Sequence, residues 1–325
     1  MTLPRRHFLR FAGAAAAASA SPQFAAALDY PARPVRLLVG YAPGGVADII
    51  GRITGQMLSE RIGQQFVVEN HAGAGSNLAT EEVIHAQPDG YTLLGATASN
   101  AWNAAIYQNL NFDFIRDTAP VASTVRSFNV MVVNLAVPAH NVAEFIAYAK
   151  ANTGKVNMGS AGPGSSPHLY GELFKTMTGV DMLTVHYRGA GPAYPDLLSG
   201  QLQVIFSSVV SAIGHIRAGR LRALAVTAAR REELLPDLPP IGDTVPGYDG
   251  TDWLGVVAPR GTPDGIVDKL NAAINAGLAD AKNKARLADL GAEALATSPA
   301  EFGQYVADYT GKWAKVIRAA NIKAE

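Results

Sequence analysis

The stretch Val35-Arg36-Leu37-Leu38-Val39-Gly40-Tyr41-Ala42-Pro43-Gly44-Gly45-Val46-Ala47-Asp48 decides the fold. Its first five residues form a nearly continuous β-prone run, as expected of a strand covered on both faces in a parallel sheet. Over residues 47–62 apolar positions recur at helical spacing, and Gly63 ends the pattern. Strand, glycine loop and helix then repeat. Phe66-Val67-Val68 leads through residues 71–76 into a helix reaching Gln87; residues 91–96 lead through 97–103 into another short helix, with Pro88-Asp89-Gly90 as the intervening turn.

The alternation restarts at Val130-Met131-Val132-Val133, with a helix at 142–151, a strand at 155–158 and the loop Gly159-Ser160-Ala161-Gly162-Pro163-Gly164-Ser165-Ser166. Strands at 183–186, 204–206 and 221–226 alternate with helices at 169–178, 194–199 and 212–218. Such alternation predicts α/β domains with parallel or mixed sheets and right-handed crossovers. Residues 232–250, rich in Pro, Gly and Asp, read as a long connection between domains. One strand at 253–257 and helices at 266–279, 283–290 and 299–317 are too little for a third domain, so this tail is expected to return and complete the first. The expected organisation is two lobes, 28–124 with 251–325 and 125–250, joined by a two-segment hinge.

Composition fits two globular domains. The chain has 325 residues, 48% hydrophobic, with 27 basic against 27 acidic side chains, enough at roughly 150 residues per domain for two cores. No basic excess marks it for nucleic acid. The absence of cysteine excludes disulfides, Cys-ligated zinc, iron–sulfur clusters, thiol nucleophiles and a lipidated N-terminal cysteine.

The N-terminus reads as an export address. Arg5 and Arg6 precede Phe8-Leu9 and an alanine-rich run, and Ala25-Ala26-Ala27 offers a small-residue cleavage site. The paired arginines resemble a twin-arginine signal, although Pro4 stands where threonine or serine is usual, and a Sec signal is the alternative. Removing residues 1–27 takes away Arg5, Arg6 and Arg10, so 27 basic residues become 24 against 27 acidic, a net charge of −3. Beyond this segment no apolar run is long enough to cross a bilayer. The expectation is a mature chain free in the exported compartment.

Ligands of open parallel sheets bind outside the carboxyl ends of the strands, and the glycine loops fall there. Tyr41, Ala42, Gly44, Gly45 and Val46 offer backbone amides and a helix N-terminus to an anion, whereas Asp48 in the first helical turn is expected to brace the loop. A tight turn alone would also account for the glycines. In the second half, Ser160, Ala161, Ser165 and His168 border the facing loop, and Tyr187, Arg188 and Gly189 add a guanidinium suited to a carboxylate; Arg188 is equally compatible with an interdomain salt bridge. Thr97, Ser99 and Asn100 supply neutral polar groups, or helix caps. Enzyme signatures are missing. Met158 spoils a G-x-S-x-G elbow, Gly73-Ala74-Gly75 lacks the third Rossmann glycine, no Walker motif occurs, and His7, His71, His85, His140, His168, His186 and His215 show no metal-binding spacing. No catalytic residue, metal or cofactor is assigned.

These residues together resemble the Bug family, the substrate-binding proteins of tripartite tricarboxylate transporters. The resemblance rests on Tyr30-Pro31, the 43–48 loop, Val68-Glu69-Asn70, Pro88-Asp89-Gly90-Tyr91-Thr92-Leu93-Leu94, Gly159-Ser160-Ala161-Gly162, Gly171-Glu172-Leu173-Phe174, residues 221–226 and Val257-Ala258-Pro259 with Gly261-Thr262-Pro263. It implies a two-lobed, type II periplasmic binding-protein fold closing over a small organic carboxylate, a monomeric receptor for integral-membrane transporter subunits. Two positions depart from the family pattern. Val46-Ala47 replaces a small residue and threonine, and Ser207-Ser208 stands where many relatives carry Asp-Asn. If Ser207 faces the pocket, a partner for a ligand amine is missing, which favours a di- or tricarboxylate or an aromatic or apolar monocarboxylate. An orphan receptor feeding a membrane sensor and an enzyme acting on a carboxylate are the rival readings.

Overall fold

The computed structural model describes residues 30–107 and 109–323, so the expected export signal lies outside the described residues. Strand β1 (Val35–Val39) is buried at four of five positions and pairs in parallel with β2 (Phe66–Asn70) and β3 (Thr92–Thr97). Between them run helices α1 (Val46–Ile62), α2 (Asn77–Ile84) and α3 (Ala98–Ile106). Gly63 ends α1 in the left-handed conformation, φ 82°, which a glycine adopts without steric cost.

A short helix α4 (Phe114–Asp117) leads into β4 (Thr118–Val133), a 16-residue strand that belongs to both lobes. Its first part pairs antiparallel with β9 (Thr251–Pro259), and Asn129–Val133 pairs antiparallel with β7 (Val204–Ser208). The first sheet runs β2-β1-β3-β9-β4, with the two-residue β10 (Glu293–Ala294) on the far edge of β4. The second runs from β8 (Arg222–Val226) through β4, β7 and β5 (Asn157–Ser160) to β6 (Leu183–His186). Its helices are α5 (Val142–Ala151), α6 (Ser166–Thr178), α7 (Ala190–Ser199) and α8 (Val209–Arg217).

The sequence reading starts the second half at Val130 and misses the first twelve residues of β4. Pro120 and the Ser123-Thr124 pair disguise the strand, and the register shifts between Pro120 and Ala122 and between Ser123 and Val125. Bulges are where a proline fits within a sheet. Where β4 and β9 pass between the lobes, Thr227 binds both: its N–H donates to Asn129 O at 2.8 Å and its hydroxyl to Gly250 O at 2.6 Å.

The period-two alternation of the strands divides the core. Val35, Leu37, Val39, Val130 and Val132 pack in one cluster, and Leu38, Met131 and Val133 in the other, so each cluster lies on one sheet face and extends through both lobes. The C-terminal helices α9 (Asp264–Ala279), α10 (Ala281–Asp289) and α11 (Pro299–Ala319) return to the first lobe, with α9 against α1 and β4. Helix α11 opens with a Ser298–Glu301 capping box and buries Phe302, Val306, Tyr309, Trp313 and Ile317 along one face. Trp313 and Tyr309 pack against Trp102 of α3, at ring-centroid distances of 5.2 and 5.7 Å, and Trp313 lies 5.5 Å from Tyr170 of α6. Fully buried aromatics of this size contribute on the order of 2 kcal/mol each.

Candidate ligand-binding site

Five helices begin at one cavity. The first residues of α1, α3, α6, α7 and α8 follow the carboxyl ends of β1, β3, β5, β6 and β7, the position the sequence predicts for a ligand. The cavity has a volume of about 40 Å³ and is bordered by Tyr41, Gly45, Val46 and Ala47, by Thr97 and Ser99, by Ala161, Ser165, Ser166 and Pro167, by Ala190, and by Ser208 and Ser211. Asn129 and Asp252, from the two strands that connect the lobes, complete it. No lysine, arginine or histidine is among the lining residues. An anion there would be held by backbone amides, helix dipoles and hydroxyls, each helix N-terminus contributing typically 0.3–1 kcal/mol and up to about 2 in a buried setting.

Several cavity groups have no partner among the described residues. The hydroxyls of Ser208 and Ser211 and the Oδ1 of Asn129 are buried without a hydrogen bond, an arrangement costing about 1–3 kcal/mol per group unless something binds them. Ser99 accepts a hydrogen bond from Tyr41 OH at 2.7 Å, which leaves its own proton to donate. Burial raises the pKa of Tyr41 and keeps the phenol neutral. Asp252 is 4% exposed; burial pushes its carboxyl up to about 7, against the lowering effect of hydrogen bonds from Ser166 and Tyr170.

Of the residues singled out in the sequence, Tyr41, Gly45, Val46, Thr97, Ser99, Ala161 and Ser165 meet at this cavity. Tyr187 and Arg188, again with Tyr41 and Ala161, border a second cavity of about 390 Å³ outside it, together with Gly73, Gly75 and His186. Arg188 is exposed and makes no ion pair with the described residues, so the interdomain salt bridge is not formed; its carbonyl instead accepts from Ala42 N at 2.8 Å. Gly44, φ 86°, and Gly189, φ 147°, shape the loops through backbone conformations that favour glycine.

Other residues singled out in the sequence do not line this cavity and make hydrogen bonds within the protein. Asp48 braces the loop: it accepts from Gly44 N and Asn70 Nδ2 at 3.0 Å and pairs with Arg52 at 2.8 Å. Burial opposes its charge, but these partners outweigh it and hold the pKa below the ordinary value. Asn100 caps α3 by accepting from Thr97 N at 2.8 Å and donates to Thr80. Ser160 is engaged with Gly162 N and His186 Nδ1, and His168 Nδ1 accepts from Gly164 N at 3.1 Å. Ser207 bonds Tyr194 OH at 2.6 Å and does not line the cavity, whereas its neighbour Ser208 does. The argument against a ligand amine therefore loses its footing at Ser207. Sequence reasoning missed Asn129, Ser211 and Asp252. Asn129 and Asp252 lie on strands and belong to no loop motif; Ser166 belongs to the loop the sequence singles out.

Comparison with known proteins gives the family and the fold. A family model described as "Tripartite tricarboxylate transporter family receptor" matches residues 50–322. BugT of Bordetella pertussis is 32% identical over 319 residues, covering 97% of this chain and 96% of its own. Among solved structures, an R. palustris protein with adipate superposes with a TM-score of 0.88 at 36% identity, covering 91% of this chain and 99% of its own. MatC from Rhodopseudomonas palustris with bound malate gives 0.85 at 31% identity, covering 89% and 100%. The family is one of binding receptors, not enzymes, and no helix among the described residues is long and apolar enough to cross a membrane. The chain belongs to the tripartite tricarboxylate transporter receptor family, the periplasmic Bug-type solute-binding proteins.

Proposed function

We propose that this receptor captures a small organic carboxylate, a di- or tricarboxylate or an aromatic or apolar monocarboxylate, by closing two lobes over it, and delivers it to the integral-membrane subunits of a tripartite tricarboxylate-type transporter. The lobes of this reading are residues 28–124 with 251–325 and residues 125–250, with the hinge where β4 and β9 cross beside Thr227. The observation that carries it is the convergence of five helix N-termini on a cavity without cationic side chains, where the Ser208 and Ser211 hydroxyls lack partners. Such a site favours an anion through preformed dipoles and offers hydroxyl donors to its oxygens. Gly45, Val46, Thr97, Ser99 and Ser165 are the proposed direct contacts, joined by Ser208 and Ser211. Adipate and malate in two structural relatives fit the same ligand class.

Two measurements test the two halves of the reading. Native mass spectrometry of protein purified from its host should find a carboxylic acid bound at one per chain; an empty protein that ignores added carboxylates would refute the receptor. Uptake of the bound acid into vesicles carrying the transporter subunits should require the protein, and uptake unchanged without it would refute delivery.

A further inference from the structure

Among the residues lining the cavity the one carboxyl belongs to Asp252, an unusual choice for a carboxylate receptor. Asp252 is the second residue of β9, and its Oδ1 accepts from Ser166 Oγ at 2.8 Å and Tyr170 OH at 3.1 Å. Its Oδ2 accepts no hydrogen bond among the described residues, and no cation neighbours the carboxyl. The β4–β9 register sets Asp252 directly across from Ser127, which puts Asn129, two positions along, on the same face. Asn129 spends its Nδ2 on Phe206 O at 2.8 Å, so the atom it leaves unpartnered is the acceptor Oδ1. The cavity is thus lined by helix N-termini and hydroxyls and, from the two crossing strands, by acceptor atoms that take no hydrogen bond among the described residues.

We propose that Asp252 and Asn129 form an acceptor pair that determines specificity, selecting carboxylates whose body carries a hydrogen-bond donor, a hydroxyl or an ammonium. The inference rests on the carboxylate-receptor reading above and narrows its ligand class. A donor on the ligand satisfies the buried, unpartnered Oδ1 of Asn129 and the Oδ2 of Asp252, and its bond to a carboxylate is charge-assisted. A second ligand carboxylate at the same place meets like charge. The acceptors come from the strands that join the lobes, so the ligand body bridges the hinge while its carboxylate faces the helix ends.

The test compares ligands matched in shape. Titration calorimetry at pH 7.5 of ligand-stripped protein uses succinate, malate and aspartate, and separately phenylpropionate, phenyllactate and phenylalanine, series that differ in hydrogen, hydroxyl or ammonium at one carbon. Within the series that binds, a donor-bearing member should bind at least tenfold more tightly than the unsubstituted acid. Asp252→Asn, which keeps an acceptor for Ser166 and Tyr170, should abolish that preference by weakening the donor-bearing acids relative to the unsubstituted one. An ammonium ligand should lose more than a hydroxyl ligand, which identifies the donor. The wild-type preference needs no variant and stands if Asp252→Asn fails to fold. Equal or tighter binding of the unsubstituted acid overturns the proposal while the receptor reading survives, and so does an equal effect of the variant on all three members. Binding of none of the six overturns this inference, and the receptor reading is then judged by the native mass spectrometry above.

Discussion

The amide of Ala42 donates to the carbonyl of Arg188 at 2.8 Å, so the first glycine loop rests directly on the loop after β6. Three residues on, the contact is tighter: a Cβ added to Gly191 would lie 2.2 Å from Pro43 O. The two lobes touch backbone to backbone across the cavity, and Trp102 Nε1 adds a bond to Gly164 O at 2.7 Å.

Gly191→Val is therefore expected to prop the loops apart. Ligand affinity should fall at least tenfold, about 1.4 kcal/mol, while ligand-free stability changes by less than about 1 kcal/mol because opening the lobes relieves the clash. Calorimetry and thermal unfolding of the same preparation check both halves.

Replacing Ser208 and Ser211 by alanine should separate binding from stability. Each hydroxyl is buried without a partner, so its removal should stabilise the ligand-free protein or leave it unchanged, by up to about 1 kcal/mol each. Affinity should nevertheless drop several-fold. Thermal melts with and without ligand show whether the two effects have opposite signs.

Asp48→Ala should act on the loop from behind. It frees Gly44 N, Asn70 and Arg52 from their shared acceptor, costing on the order of 1–3 kcal/mol. The depressed pKa means the stabilisation by Asp48 is present above about pH 4 and is lost as pH falls through the folded value. The wild-type advantage over the variant in urea unfolding should accordingly shrink on acidification below pH 4.

The buried acid has the opposite sign. The folded-state pKa of Asp252, about 7, stands above its ordinary 3.8, so between those values the folded form retains a proton that the unfolded chain gives up. Stability from this group is full below about pH 4 and is lost as pH rises to 7, by on the order of a few kcal/mol. The neighbouring phenols Tyr41, Tyr170, Tyr305 and Tyr309 stay neutral throughout, their pKa values raised by burial. His168, which burial pushes down to about 4, loses stability as pH falls, so comparison of Asp252→Asn with wild type isolates the carboxyl. The variant should gain on wild type in urea midpoint as pH rises from 4 to 8.

What the sequence conveys about this molecule follows its periodicities. Val35–Val39, the helix after Gly45 and the alternation that follows are readable because strand burial, helical spacing and glycine loops leave local marks. The loops of the candidate site are readable for the same reason, each lying between a strand and a helix. Which side chains enter the cavity depends on register and long-range packing instead. Ser207 and Ser208 are adjacent, yet Tyr194 takes the first and the cavity receives the second. Asn129 and Asp252 are 123 positions apart and meet only through the pairing of β4 with β9. A bulged strand carrying Pro120 hides that pairing from local reading.

The central claim is that the cavity at the five helix ends holds a small carboxylate, and thermal unfolding of ligand-stripped protein against di-, tri-, aromatic and amino carboxylates at 1 mM tests it most directly. A ligand with a dissociation constant near 1 μM should add about 4 kcal/mol and raise the midpoint by several degrees or more, selectively for one chemical class, with the shift reduced by about a third or more in Gly191→Val. A panel that leaves the midpoint unmoved, or a shift that persists undiminished in Gly191→Val, would contradict the account.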